Sequence, residues 1–401
     1  MYFLKLLNAF FLKTFFVGVF FFCFLLCLQA QNAGDNSLVL ADNIFQNIYN
    51  YYAVKGTKLL RENYPYNEKY TPDYLASYPE TKVPNKFAYL WPYSGTFSAT
   101  IALLNVSGQK KYRKILEQQV LPGLEKYFDD KRRPAAYASY INTADPSDRF
   151  YDDNIWLGID FTDLYTITHN KKYLAKAKQI WTFVWSGHDE KLGGGIYWCE
   201  QKKQSKNTCS NALAAVFALK LFAAAKDSSY FKQGLGLYHW TKKNLQDSSD
   251  YLYFDNISLK GRVDKRKYPY NSGQMLQAAA LLFQFTKDSC YYKEAERLAA
   301  SAIKYFIIKL WDELALFQSG HIWFNAVMLR GYNEWYKING DASYLIQFNE
   351  VLQNCIAGLQ DADGLFLKAG QKTSRTKWLL DQAAFCEIFA RMSILKQPAV
   401  Y

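Results

Sequence analysis

The sequence predicts an all-α protein: an (α/α)6 barrel, a toroid of six inner and six outer helices. Three observations lead there. A turn of small or charged residues followed by Tyr and an amphipathic stretch recurs at Tyr112, Tyr173, Tyr230, Tyr291 and Tyr344, in steps of 61, 57, 61 and 53 residues. A step that regular marks a repeat architecture, and each step holds two helices with their loops. Two kinds of helix alternate, one with a single apolar face and one apolar all round, and no convincing run of alternating strands competes with them.

The outer helices are expected to begin near Ser37, Gln109, Asn170, Ser228, Ser289 and Asp341. The one after Asn170 shows their build. Tyr173, Leu174, Ala177, Ile180, Trp181 and Val184 form an apolar stripe, with Lys171, Lys172, Lys176 and Lys178 mostly off it. That is a surface helix with one buried face. The inner helices are expected to begin near Phe87, Tyr151, Asn207, Tyr270, His321 and Trp378. Ala212 to Leu219 and most of Met275 to Phe283 are apolar on every side, as burial inside a ring requires. The toroid should leave a funnel at the starts of the inner helices.

Residues 1–30 read as a secretory signal. Lys5 and Lys13 are its basic part, Thr14 to Leu28 its apolar part, and Leu28-Gln29-Ala30 its cleavage end. The apolar stretch is shorter than the roughly 20 residues of a spanning helix. A lipoprotein reading would use Cys27, but the bulky Leu26 precedes it. A secreted, periplasmic or outer-surface location follows, with one domain over residues 31–401. Half of the 401 residues are apolar and 21% charged, which fits a core-forming chain rather than a disordered one. The net charge of +12, or +10 without Lys5 and Lys13, comes from scattered Lys and Arg. No helix-turn-helix, finger or RNP-like run accompanies it, so nucleic acid is not expected as a partner. Five cysteines remain beyond the signal: Cys199, Cys209, Cys290, Cys355 and Cys386, with no C-x-x-C. Cys199 and Cys209 could pair in an oxidising compartment, or all five could be free thiols.

Aromatics make up 18% of the chain, about twice the usual share, which suggests a lined cleft as well as a core. The loops before the inner helices concentrate them with amides and carboxylates. Trp91, Tyr151, Trp156, Trp198 and Tyr270 are candidates to stack on sugar rings. Asp152-Asp153 is the sharpest feature. Neighbouring carboxylates repel, and burial raises at least one pKa, giving the ionised and protonated pair that glycoside hydrolysis needs. Acidic pairs at helix starts also serve as caps, which is the competing reading. The four histidines form no metal-binding spacing, Gly193–Gly195 is not followed by the Lys of a phosphate loop, and no G-x-S-x-G occurs. No metal and no cofactor is expected.

Four stretches carry a resemblance. They are Tyr151-Asp152-Asp153-Asn154-Ile155-Trp156, Gly193-Gly194-Gly195-Ile196-Tyr197-Trp198, Lys206-Asn207-Thr208-Cys209-Ser210-Asn211 and Tyr270-Asn271-Ser272-Gly273. In that order they resemble glycoside hydrolase family 76, in the style of a secreted Bacteroidetes-like member. The resemblance covers about Leu90 to Arg330. It implies an (α/α)6 fold and endo-acting cleavage of α-1,6-mannan, or transglycosylation on it. It implies Asp152 as nucleophile and Asp153 as general acid/base of a retaining mechanism. It places Asn207, Asn211, Tyr270 and Asn271 near the sugar, with Asp255 and Arg330 at further polar positions. Ser272 and Cys199 depart from the family's usual residues.

The expected partner is therefore a polysaccharide, α-mannan, with no nucleic acid, no membrane contact beyond a possible lipid anchor, and a monomer as the default state. An unsaturated-uronyl hydrolase would suit the basic charge, but it needs its two aspartates far apart in sequence. A non-catalytic glycan-binding protein is opposed by the intact Asp pair.

Overall fold

The computed structural model describes residues 37–70, 72, 74, 86–309, 315–318, 321–368 and 376–396. The expected signal segment, with Cys27, lies outside them. Twelve helices occupy most of the rest. The outer ones are α1 (37–52), α3, α5 (Lys171–Trp185), α7 (Ser228–Leu245), α9 (Ser289–Phe306) and α11 (Ser343–Leu359). The inner ones are α2 (Leu90–Ser107), α4 (Tyr151–Thr168), α6 (Thr208–Ala225), α8 (Pro269–Thr286), α10 (Ile322–Asn339) and α12 (Leu379–Met392). Helix α3 runs Lys110–Ile115, widens to a π-turn over Leu116–Val120 and ends at Leu121–Leu124. Pro122 lacks an N–H and crowds the carbonyl four residues back, which forces the ladder to shift there.

Each inner helix packs on the next, and α12 closes on α2. The barrel is the one expected, and no helix begins more than three residues from its expected position. Burial follows the two sequence patterns. In α6 every residue from Thr208 to Leu219 is buried, while α5 buries only the stripe of Tyr173, Ala177, Ile180, Trp181, Phe183 and Val184. Inner helices approach closely where glycine allows. A Cβ on Gly273 would lie 2.4 Å from the Cα of Met328, and one on Gly331 would lie 2.3 Å from the carbonyl oxygen of Gly273. Helices α8 and α10 thus touch backbone to backbone.

The two ends of the barrel differ. At one end, five inner helices stop at a left-handed residue: Gly108, His169, Lys226, Lys287 or Gly340. Each donates its N–H to the carbonyl four residues back, which ends the helix. The next helix starts almost at once, and the side chains of Asn170, Asp227 and Asp288 cap α5, α7 and α9. At the other end, long connections lead from outer helices back to inner ones. They carry the only strands among the described residues. The largest group is an antiparallel sheet of β1 (Ser205–Asn207), β2 (Phe254–Ser258) and β3 (Val263–Lys267). The long connections at this end give room for side chains to converge on a site.

Candidate active site

The long connections enclose a cavity of about 730 Å³. Its position follows from pairing between distant stretches. Phe150 precedes α4 with an extended backbone and bridges Cys199, and the Tyr151 N–H donates to the Trp198 carbonyl. The Gly193–Trp198 loop is thereby fixed beside the first turn of α4. Lys206 secures the same loop from below. Its buried ammonium lies within 3.0 Å of the Asp189 carboxylate and of the Asp189, Lys191 and Gly194 carbonyls.

The result places Trp198 over Asp152. The indole Nε1–H donates to Asp152 Oδ2 at 2.9 Å, and Cys209 Sγ lies 3.4 Å from the same oxygen. Oδ1 accepts the Asp153 backbone N–H at 3.1 Å. Burial raises the Asp152 pKa to about 6, and the bonds from Cys209 and Trp198 hold it from going higher. Asp153 also lines the cavity and is buried, but its carboxyl has no hydrogen-bonding side chain among the described residues. Burial and then the neighbouring Asp152 push its pKa well above the carboxylate range. The two carboxyls are therefore unequally set: Asp153 is the one pushed more strongly toward its neutral form, and Asp152 is the one whose hydrogen bonds support its charged form.

A third carboxyl, Asp255, reaches the cavity from β2. Burial raises its pKa, while Asn256 Nδ2 donates to it at 2.9 Å and the Tyr270 hydroxyl stands 3.5 Å away. Arg266 on β3 stands 3.8 Å from Asp255 and pairs more closely with Asp264. Asn207 lines the cavity from β1, opposite Asn256.

Aromatic rings supply most of the remaining wall. Trp156 and Trp323 meet edge to face at 5.7 Å at the base. On one side His321 stacks between Trp91 and Phe324, and Tyr270 stacks on Tyr268. Tyr74 packs edge-on against Trp91 at 5.1 Å. Glu62, behind this wall, accepts from the Tyr74 hydroxyl, the Trp378 indole and the Tyr89 N–H. Such walls suit the C–H faces of sugar rings, with carboxyls and amides for the hydroxyls.

Of the residues singled out in the sequence, Asp152, Asp153, Trp91, Trp156, Trp198, Asn207, Asp255 and Tyr270 meet in this cavity. Four do not line it. Tyr151 is fully buried, its ring stacked on Phe183 at 4.8 Å behind α4. Asn211 is buried and holds both backbone groups of Ile196, so it braces the glycine loop. Asn271 is buried beneath Asp255. Arg330 is buried below the base, joined by two bonds to Glu387 and lying 5.0 Å from the Trp156 ring and 5.5 Å from that of Trp323. A polar residue inside an apolar helix reads alike whether it meets a ligand or a buried partner.

The sequence reading missed Tyr74, Cys209 as a donor, Asn256, Arg266 and Phe324 in the wall, and Glu62 behind it. Cys209 lies inside the Lys206–Asn211 stretch, but Arg266 enters only through β-pairing, and Phe324 and Glu62 carry no local signal. The five cysteines described are all free thiols, and only Cys290 is exposed. Among the described residues no three His, Cys, Asp or Glu side chains converge as metal ligands.

Comparison with known proteins gives the family and the fold. The model of glycosyl hydrolase family 76 matches residues 40–327. The chain is similar to the family 76 mannosidase Bt3792 from Bacteroides thetaiotaomicron, at 29% identity over 90% of this chain and 99% of that one, with a TM-score of 0.80. It shares a fold with an inactive double-aspartate variant of the alpha-1,6-mannanase GH76A of a Salegentibacter species, solved with alpha-1,6-mannotriose. That likeness has 21% identity, covers 90% of this chain and 99% of that one, and has a TM-score of 0.71. It is also 27% identical over 126 residues, or 29% of this chain, to the mannan endo-1,6-alpha-mannosidase DCW1 of Candida glabrata. That aligned stretch spans 28% of the yeast protein, and 51% of a second yeast relative from Schizosaccharomyces pombe is covered.

Proposed function

The chain belongs to glycosyl hydrolase family 76, and we propose that it cleaves internal α-1,6-mannosidic bonds of mannan by a retaining, two-step displacement. The observation that carries this reading is the unequal setting of two consecutive carboxyls. Asp152 is held by Trp198, Cys209 and a backbone N–H, all of which favour its charged form. Asp153 has burial and a neighbouring charge, which favour its neutral form. The Asp152 carboxylate also lies in the first turn of α4, where the helix dipole stabilises an anion.

In the first step Asp152 attacks the anomeric carbon from the β face, and Asp153 gives its proton to the departing glycosidic oxygen. The C–O bond breaks and a β-mannosyl ester forms on Asp152. In the second step Asp153, now a carboxylate, takes a proton from water. The water oxygen attacks the same carbon, and the ester bond to Asp152 breaks. The product keeps the α configuration. Trp91, Trp156 and Tyr270 offer ring faces for sugars on either side of the cleaved bond. A cavity bounded by loops at one end of the barrel admits a chain laid across it, consistent with endo action. Such a polymer is met outside the cell, so we propose export by the N-terminal segment.

Reducing-sugar release from linear α-1,6-mannan tests the substrate. The expected products are short oligosaccharides before free mannose. No release, with cleavage of an unsaturated uronide or with binding alone, would overturn the reading.

A further inference from the structure

We propose that Cys209 is a positioning residue for Asp152: together with Trp198 it fixes Oδ2 and leaves Oδ1 to attack the anomeric carbon. This inference rests on the mannanase reading above. Cys209 is the second residue of α6 and lines the cavity. Its Sγ is 3.4 Å from Asp152 Oδ2, which also accepts the Trp198 indole N–H. Oδ1 accepts the Asp153 backbone N–H and no side-chain donor among the described residues. Two donors on one oxygen occupy its lone pairs and damp its charge, so the other oxygen is the better nucleophile.

The thiol can play this part because it keeps its proton. Burial, then the charges of Asp152 and Asp255, hold its pKa far above that of an ordinary thiol. It is therefore a donor throughout the working range and no rival nucleophile. Of the titratable groups around Asp152, Asp153 on α4, Cys199 after the glycine loop and Tyr270 on α8 feel its charge, and Asp255 and Arg266 on the sheet, Tyr268 before α8, His321 before α10, and Tyr74 and Tyr89 before α2 line the same cavity. Among the described residues, Cys209 is the one titratable side chain with a hydrogen bond to Asp152. Losing that bond removes support for the charged carboxylate and for nothing else in the pair.

The test uses the full chain with Cys209→Ala and Cys209→Ser. kcat/KM on linear α-1,6-mannan is followed across pH, with thermal unfolding as a check on folding. The acid limb of the Ala variant should move up by about half a pH unit, the scale of one weak hydrogen bond to a charged group. The alkaline limb, set by Asp153, should stay where it is. The Ser variant, with a hydroxyl donor in place, should move the acid limb back toward wild type. An unmoved acid limb in the Ala variant, or an equal loss at every pH that Ser does not relieve, would overturn the proposal. A wild-type chain inactive on the mannan would count against the mannanase reading itself and take this inference with it, whereas an active wild type with an unmoved limb would count against Cys209 alone.

Discussion

The indole N–H of Trp198 donates to Oδ2 of Asp152 across 2.9 Å, joining two stretches 46 residues apart. The bond exists because the Phe150–Cys199 bridge and the buried Lys206 fix the glycine loop against the start of α4. It links the local structure of a loop to the charge state of a carboxylate. Trp198→Phe keeps a ring against Phe150, which lies 5.0 Å away, and deletes the donor. A hydrogen bond to a charged group is worth enough to raise the acid limb of kcat/KM by about one pH unit. The fold should be intact by circular dichroism. A variant with the wild-type pH profile would mean that the bond does not act on Asp152.

The pH profile of the wild type should be bell-shaped. Activity falls on the acid side as Asp152 takes up a proton, with the limb near its pKa of about 6. It falls on the alkaline side as Asp153 loses the proton it must deliver, and that limb lies higher because burial and Asp152 both raise the Asp153 pKa. Initial rates on mannan in a constant-ionic-strength buffer series would measure both. Activity that keeps rising below about pH 5 would contradict the assignment.

Asp153 should cost stability. Its folded pKa is raised above the ordinary value of 3.8. Below that value the carboxyl is protonated in both states and has no effect. As pH rises through it, the unfolded chain releases a proton that the folded chain retains, so stability falls with pH. Asp153→Asn removes this penalty. It should melt with the wild type near pH 4 and about 2 °C or more above it near pH 8, the shift that roughly 1 kcal/mol gives a large domain. Calorimetry at the two pH values is the check. A variant less stable than wild type at the higher pH would overturn the burial argument.

Arg330 separates scaffold from site. It is buried and carries the ion pair with Glu387 beneath the Trp156–Trp323 base. Arg330→Met leaves Glu387 with Arg391 alone and should lose about 3–5 kcal/mol in urea unfolding, as broken buried pairs do. A direct sugar contact would instead raise KM with little loss of stability.

These cases show what the sequence could and could not disclose. The barrel was legible because each repeat announces itself twice, through a Tyr-led amphipathic helix and an apolar inner one. Tyr173 and Ala212 to Leu219 fall where their periodicities put them. The Asp pair was legible because adjacency is visible in one dimension. Asn211 and Arg330 enter the site reading through the family resemblance, but their hydrogen-bond partners are Ile196 and Glu387, which only the folded chain reveals. Arg266 reaches the cavity through a β-ladder with a register shift near Asn256, a feature that local pattern does not encode. The thiols of Cys199 and Cys209 could have been read as a pair, but the Cys209 thiol is turned to Asp152.

The most direct test of the account is the configuration of the first-formed product, followed by proton NMR on linear α-1,6-mannan. The nucleophile role of Asp152 requires the α-anomer to appear first, with the β-anomer growing in later by mutarotation. In support, Asp153→Ala should be rescued by azide with formation of an α-mannosyl azide, because Asp152 still forms the β-linked ester. Early accumulation of the β-anomer would mean a single inverting displacement by water and would contradict the assignment of Asp152.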